Sequence, residues 1–229
     1  MTLLCTNSER HLEQKILDLA LCNKVLLLLG TRQVGKSTLL KTLFPQLLHI
    51  TFDPLQDSYG VRTDPDLFLK NFPPPLILDE VQYVPELLSA MKRFVDIEES
   101  YGQYFLTGSQ NFSMLKSVSE SLARRVSILK LLPMTFLELA GSPENKIHNH
   151  WIDGYLQRDP TFWRRLKPCP QVSPIFEAIW RGGMPGLIER SSPRLSNYFE
   201  SYYRLMWKEI SVPFQTSKIF RILQCLYVF

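Results

Sequence analysis

The sequence has few cysteines, no long apolar run and little net charge, and each shortage disfavours a class of protein. The four cysteines are scattered without a C-x-x-C pair, which favours free thiols over a zinc or disulfide site (Cys5, Cys22, Cys169 and Cys225). No apolar run approaches the ~20 residues that span a bilayer, and the N-terminal segment turns polar too early for a signal-peptide core. We therefore expect a soluble, cytoplasmic protein with no membrane partner.

The net charge of +4 lies entirely in residues 181–229 and does not argue for a nucleic-acid-binding protein. The segment "WRRLK" (163–167), with aromatic residues nearby, could stack on nucleic acid. A surface insertion that packs its own aromatic side chains is the favoured alternative. His148 and His150 lack a third ligand at metal-binding spacing. The sequence itself demonstrates neither a DNA partner nor a protein partner.

Strand-like and helix-like segments alternate over residues 1–141. Short, continuously apolar runs, typical of strands buried on both faces of a parallel sheet, occur at 24–30, 47–53, 75–80, 103–109 and 125–132. Helix-like stretches precede and separate them, and the first is expected to start at an N-cap on Ser8. This alternation predicts an α/β fold in which a parallel sheet carries helices on both faces.

The composition changes after residue 141. Residues 142–173 are polar and without period, which predicts an insertion. Residues 174–229 are expected to form a helical extension, with a helix at 193–210. Gly182 and Gly183 fit a helix stop better than a second phosphate site.

The segment "GTRQVGKST" follows the first apolar run and matches the Walker A pattern without a gap. Its glycines let backbone N–H groups turn toward phosphate oxygens, and the next helix presents its N-terminus to the same anion. Lys36 can then reach the β- and γ-phosphates, and the Ser37 hydroxyl can ligate Mg²⁺. A turn punctuated by glycine is the alternative, disfavoured by the buried strand before it and the helix after it. The predicted nucleotide-binding residues are Gly30, Thr31, Arg32, Gln33, Val34, Gly35, Lys36, Ser37 and Thr38.

The segment "PLILDE" places Asp79 and Glu80 at the carboxyl end of an apolar strand. In a phosphate-binding protein this position suits a magnesium ligand, Asp79, followed by a base that polarises water, Glu80. A solvated acidic pair at the start of the next helix is the alternative.

Two further polar groups flank later strands. "FLTGSQ" ends a strand with Thr107 and Ser109, either of which could contact the γ-phosphate or the water, with a strand cap as the alternative. Arg124 and Arg125 precede the last strand, where an arginine could neutralise transition-state charge within its own chain or in a neighbouring subunit. Spacing alone gives an ordinary salt bridge equal weight.

Four linked segments resemble a known family: "GTRQVGKSTLLKTLF", "LILDEVQYVPELLSAMK", "FLTGSQNFSMLKSVSESLARRVSILKLLPMTFLEL" and "IWRGGMPGLIE". In this order they resemble prokaryotic AAA-type ATPases that carry a C-terminal domain of unknown function. The resemblance spans about residues 8–190 and implies an additional-strand AAA-type core that binds ATP and Mg²⁺. It implies Walker A at Gly30, Gly35, Lys36 and Ser37, Walker B at Asp79 and Glu80, and a sensor-like residue at Ser109. It also favours Arg125 as the family's arginine over Arg124, where the family usually has glycine.

These observations predict an AAA-type ATPase core over residues 1–141 that hydrolyses ATP to ADP and phosphate. The resemblance further implies that 174–229 is the remnant of a truncated C-terminal domain, and that Arg125 could act through self-association. A module that uses ATP only as a conformational ligand is the alternative. A small-molecule kinase is disfavoured because no arginine-rich lid is evident, and a GTPase because no Asn-Lys-x-Asp motif occurs.

Overall fold

The computed structural model describes residues 10–109, 118, 122–139, 179, 182–187 and 197–202. In this part of the chain the strands are β1 (Val25–Leu29), β2 (Leu48–Thr51), β3 (Leu76–Asp79), β4 (Tyr104–Gly108) and β5 (Val126–Lys130). The helices are α1 (Glu13–Ala20), α2 (Lys36–Leu43), α3 (Pro65–Asn71), α4 (Pro85–Val95) and α5 (Phe136–Leu139), with 3₁₀ turns at Val81–Tyr83 and Pro185–Leu187. Each of the predicted strand segments contains one of these strands.

The described strands form one parallel sheet in the order β2-β3-β4-β1-β5. The strand β4 therefore lies between β1, which precedes the Walker A segment, and β3, which ends at Asp79. An extra strand at this place is the additional-strand arrangement that the resemblance implied. The predicted α/β fold is confirmed. Because the strands are parallel, their carboxyl ends meet at one edge of the sheet, where ligands of such folds bind.

The strand β1 is buried on both faces, as its run of leucines predicts. Val25, Leu27 and Leu29 lie in the hydrophobic cluster to which α3 and α4 contribute. Leu26 and Leu28 lie in the opposite cluster, with residues of α1 and α2. Successive strand residues point to opposite faces, so one strand joins the two cores, with helices on both faces of the sheet.

The start predicted for the first helix was wrong. The helix α1 begins at Glu13 with Leu12 as its N-cap, whereas the sequence placed the cap at Ser8, which lies outside the described residues. The Glu13 carboxylate accepts from the backbone N–H of Arg10 at 2.8 Å, and the Arg10 side chain is buried against Glu138. This long-range contact fixes a turn ahead of the helix, and nothing in the local sequence signals it.

The chain divides into two compact units, residues 1–185 and residues 186–229. In the second unit, residues 197–202 are helical, within the helix predicted at 193–210. The predicted insertion at 142–173 lies outside the described residues, so the predicted boundaries stay predictions. Among the helices that the structure describes, none is long and apolar enough to cross a membrane.

Candidate nucleotide-binding site

The loop between β1 and α2 needs glycine at two positions for two different reasons. A Cβ atom at Gly30 would lie 2.6 Å from the carbonyl oxygen of Leu131, so the chain that follows β5 excludes any side chain there. Gly35 has a φ of +92°, in the left-handed region that glycine adopts readily. Gln33 is also left-handed, with a φ of +65°. The loop is therefore tightly curled directly before the N-terminus of α2.

Lys36 is the first residue of α2, and its side chain folds over the loop. Its Nζ donates to the carbonyl oxygens of Gly30 and Thr31, each at 3.1 Å. Burial lowers the pKa of the Lys36 ammonium below its ordinary value, and the nearby carboxylates of Glu80 and Asp79 act in the opposite direction. A buried cation whose described hydrogen-bond partners are neutral carbonyls is suited to receive an anion.

Ser37 and Asp79 meet at the carboxyl edge of the sheet. Ser37 Oγ donates to Asp79 Oδ1 at 2.8 Å, and the fully buried Thr107 hydroxyl donates to the same oxygen. Hydroxyl and carboxylate oxygens are the kind of ligand that Mg²⁺ takes in nucleotide sites. The two residues predicted as metal ligands are therefore adjacent.

Glu80 follows β3 in a left-handed conformation, with a φ of +62°. Its backbone N–H donates to Thr107 Oγ1 at 3.2 Å, and its Oε2 accepts from Gln82 Nε2. The other end of the Gln82 amide, Oε1, accepts from the backbone N–H of Ser109 at 3.2 Å. Glu80 and Ser109, predicted separately, thus belong to one hydrogen-bonded group that joins the ends of β3 and β4.

His49 lies on β2 beside the Asp79 carboxylate. Its Nε2 is 3.6 Å from Asp79 Oδ2 and has no hydrogen-bond partner among the described residues. Burial, followed by the charge of Lys41, lowers the pKa of His49 below its ordinary value of 6.5, whereas Asp79 acts in the opposite direction. A neutral imidazole is therefore favoured next to the predicted metal ligand.

Arg10 and Glu138 form a buried ion pair behind the loop. Arg10 Nε lies 3.1 Å from Glu138 Oε1, and the two side chains are 7% and 5% exposed. The guanidinium also donates to the carbonyl oxygens of Val34, at 3.0 Å, and Leu132, at 2.6 Å. Burial alone would raise the pKa of Glu138, but hydrogen bonds from two backbone N–H groups and the Arg10 guanidinium hold that pKa below its ordinary value. The pair therefore ties the loop to the end of β5.

The segment 182–185 also reaches the loop. The backbone N–H of Met134 donates to the Gly183 carbonyl at 2.6 Å, and a Cβ at Gly183 would lie 2.2 Å from the Met134 oxygen. Only glycine fits at this contact. The ring of Pro185 lies 3.6 Å from the place of a Cβ at Gly35. Gly182 has a φ of +67°, a conformation that the predicted helix stop would use.

Arg125 lies at the opposite, amino edge of the sheet. Its carbonyl accepts from the backbone N–H of Val25, at the start of β1, at 3.3 Å. Its guanidinium binds Asp96 through Nε at 2.6 Å and Nη2 at 2.7 Å. The length of β1 therefore separates Arg125 from the loop of its own chain. Arg124 beside it has a φ of +67°, a conformation that favours glycine.

The structure thus brings Lys36, Ser37, Asp79, Glu80 and Ser109 to one edge of the sheet and places Arg125 at the other. Sequence reasoning did not single out Gln82, His49, Arg10 or Glu138. A search for polar partners close to Glu80 could have found Gln82, two residues along. Arg10 and Glu138 are 128 residues apart, and no local pattern connects them.

A family model described as an AAA domain matches residues 22–140, more than half of the chain. Two relatives, the "Uncharacterized protein Rv2008c" of Mycobacterium tuberculosis and the "Uncharacterized protein Mb2031c" of Mycobacterium bovis, are each 30% identical over 160 residues. The match covers 69% of this chain and 34% of each relative. The chain therefore spans about a third of the length of these relatives.

The solved chains that are similar to this one include the following two. The Walker-type ATPase PABY2304 of Pyrococcus abyssi is 17% identical with a TM-score of 0.47, covering 91% of this chain and 76% of that one. A RuvB mutant of Thermotoga maritima is 21% identical with a TM-score of 0.39, covering 66% and 52%.

Proposed function

The chain belongs to the AAA-domain family, and from this premise we propose that it binds ATP with Mg²⁺ and hydrolyses the ATP to ADP and phosphate. One observation carries the proposal. At a single edge of the sheet, a buried ammonium (Lys36), a hydroxyl–carboxylate pair (Ser37 and Asp79) and a second carboxylate (Glu80) converge on a loop curled before a helix N-terminus.

The residues of the site fit both the phosphates of ATP and Mg²⁺. An anionic phosphate would give the buried Lys36 ammonium the countercharge that neutral carbonyls do not supply. Ser37 and Asp79 offer Mg²⁺ two oxygens that are 2.8 Å apart. When bound, Mg²⁺ supplies positive charge that offsets charge on the phosphate oxygens.

Each side chain then has a distinct role in the proposal. Lys36 holds the β- and γ-phosphates, Ser37 and Asp79 hold the metal ion, and Glu80 takes a proton from the attacking water. Ser109 contacts the γ-phosphate or that water. Arg125 stabilises developing charge in a neighbouring subunit through self-association.

Two variants test this division of labour. Lys36→Ala should weaken ATP affinity on the order of 10- to 100-fold, since it removes a hydrogen-bonding cation. Glu80→Gln should preserve affinity and lower turnover on the order of 100-fold or more. Binding of a fluorescent ATP analogue and release of phosphate measure the two effects. Lys41→Ala, an exposed lysine of α2, and Glu86→Gln, an exposed glutamate of α4, are matched controls.

The outcomes separate hydrolysis from binding alone. Wild-type affinity in Lys36→Ala would contradict the phosphate-binding role, and wild-type turnover in Glu80→Gln would contradict the base. If the wild-type chain binds ATP and releases no phosphate, the alternative of a conformational module is correct.

A further inference from the structure

Gln82 lies between a hydrogen-bond acceptor and a hydrogen-bond donor, and its amide satisfies both. The Glu80 carboxylate requires a donor, which Gln82 Nε2 supplies, and the backbone N–H of Ser109 requires an acceptor, which Gln82 Oε1 supplies at 3.2 Å. A glutamate at this position would still accept from Ser109, but it would place a like charge against Glu80. An asparagine would be one methylene shorter.

The turn that carries Gln82 is anchored on both sides. Val81 is fully buried in the core, and the backbone N–H of Tyr83 donates to the Glu80 carbonyl at 3.1 Å. Tyr83 OH accepts from Arg32 of the loop at 3.3 Å. The amide of Gln82 is therefore presented by a fixed piece of backbone, whereas the Glu80 side chain extends from a left-handed residue next to it.

We propose that Gln82 is a positioning residue that orients the Glu80 carboxylate and couples it to Ser109 at the end of β4. This inference rests on the proposed function, because it concerns the base of the same reaction. A carboxylate can accept about four hydrogen bonds, so the amide can fix Oε2 without using the capacity that a water needs. Positioning of this kind acts on the rate of the chemical step and not on nucleotide affinity.

Gln82→Met tests the proposal, because methionine keeps the length of the side chain and removes the amide. We expect turnover to fall on the order of tenfold and ATP affinity to stay within about twofold of the wild-type value. The backbone N–H of Ser109 should exchange with solvent faster, as followed by amide hydrogen exchange. Gln14→Met is the matched control, since Gln14 Nε2 also donates to a carboxylate, Asp18 Oδ1, at 2.8 Å on the exposed face of α1.

Gln82→Glu distinguishes the role of the amide oxygen from the role of the amide nitrogen. It is the test to use if the methionine variant does not fold. It keeps an acceptor for Ser109, so the protection of that N–H should remain, and it replaces the donor to Glu80, so turnover should fall. Loss of protection together with wild-type turnover in this variant would overturn the proposal.

A double-mutant cycle shows whether Gln82 acts through Glu80. In a Glu80→Gln background, Gln82→Met should change the residual rate by less than about twofold, since the base is already absent. An equal loss in both backgrounds would overturn the positioning role. A wild-type rate in Gln82→Met alone would overturn this inference and leave the proposed function intact, whereas a wild-type chain without turnover overturns both.

Discussion

Two arginine–carboxylate pairs lie at opposite edges of the sheet in different surroundings. At the carboxyl edge, Arg10 and Glu138 are almost fully buried, and the guanidinium also holds two backbone carbonyls. At the amino edge, Arg125 and Asp96 have shorter contacts but are 30% and 51% exposed. Distance alone would rank the second pair above the first, whereas burial reverses the ranking.

The two pairs differ in energy because the carboxylate that remains after the arginine is removed has different surroundings in each pair. Water solvates an exposed carboxylate that has lost its arginine, so a surface pair contributes little to folding. A buried carboxylate that has lost its arginine keeps its charge in the protein interior, which is strongly unfavourable. The buried pair at the carboxyl edge is therefore expected to contribute more to folding than the exposed pair at the amino edge.

The largest effect that we expect concerns turnover at the amino edge. If Arg125 acts in a neighbouring subunit, Arg125→Ala should lower phosphate release by ~10³-fold while changing thermal stability little. Mixing Arg125→Ala chains with Glu80→Gln chains should restore activity, because each supplies the residue that the other lacks. Arg93→Ala, which breaks a similar exposed pair with Asp66, is the control. Full activity of Arg125→Ala that does not depend on protein concentration would leave only a surface salt bridge.

The next effect concerns stability at the carboxyl edge. Arg10→Met should lower the free energy of unfolding by about 3–5 kcal/mol, because Glu138 is left buried without its partner. Arg125→Met should lower it by much less. Urea denaturation of both variants measures the difference. Equal losses would show that burial does not distinguish the two pairs.

Acid should destabilise the two edges unequally. Hydrogen bonds and Arg10 hold the pKa of Glu138 below its ordinary value of 4.5, so the folded state favours the ionised carboxylate. The contribution of the ionised Glu138 to the free energy of unfolding is present above pH 4.5 and is lost as the pH falls through the lowered pKa of the folded state. Melting temperatures measured from neutral to acidic pH should therefore fall less steeply in Glu138→Gln than in the wild type.

Asp96→Asn is the comparison for the acid experiment. The hydrogen bond from Arg125 also lowers the pKa of Asp96, but this carboxylate is exposed. We expect the loss of the Asp96 carboxylate to change the slope of melting temperature against pH less than the loss of the Glu138 carboxylate does. A larger change in Asp96→Asn would contradict the ranking of the pairs.

The smallest effect concerns a left-handed residue at the amino edge. Arg124→Gly should raise the free energy of unfolding by no more than about 1 kcal/mol, because relief of the strained backbone is partly offset by the greater freedom of glycine in the unfolded chain. Turnover should stay unchanged. Glu80→Gly relieves a similar φ at the carboxyl edge but should abolish turnover. A lower melting temperature in Arg124→Gly would mean that the arginine side chain stabilises the fold.

The sequence was sufficient to predict where the strands lie, because strands depend on local patterns, whereas the roles of Lys36, Ser37 and Asp79 stay predictions. β1, β3 and β4 are buried throughout, as their apolar runs predict, whereas β2 and β5 lie at the edges of the sheet and are partly exposed, so burial on both faces was wrong for those two strands. The order of the strands did not follow from periodicity. The position of β4 came only from the resemblance to a family.

The remaining parts of the site depend on distant contacts. His49 lies near Asp79 only because β2 and β3 are neighbours in the sheet. Arg10 and Glu138 pair across 128 residues, and that contact also explains why α1 starts later than its sequence suggested. Gln82 could have been found from the sequence as a polar residue close to Glu80. Its contact with Ser109 could not, because that contact depends on where β4 ends.

The close contact between Gly183 and Met134 bears on how fragments of this chain should be cut for crystallography or binding studies. A fragment that ended at residue 141, the predicted limit of the core, would remove the carbonyl that accepts from the Met134 N–H and the proline ring beside Gly35. A fragment that keeps the surroundings of the loop extends at least through Pro185. Loss of nucleotide affinity in a shorter fragment would therefore report a missing support for the loop and not a defect in the motif itself.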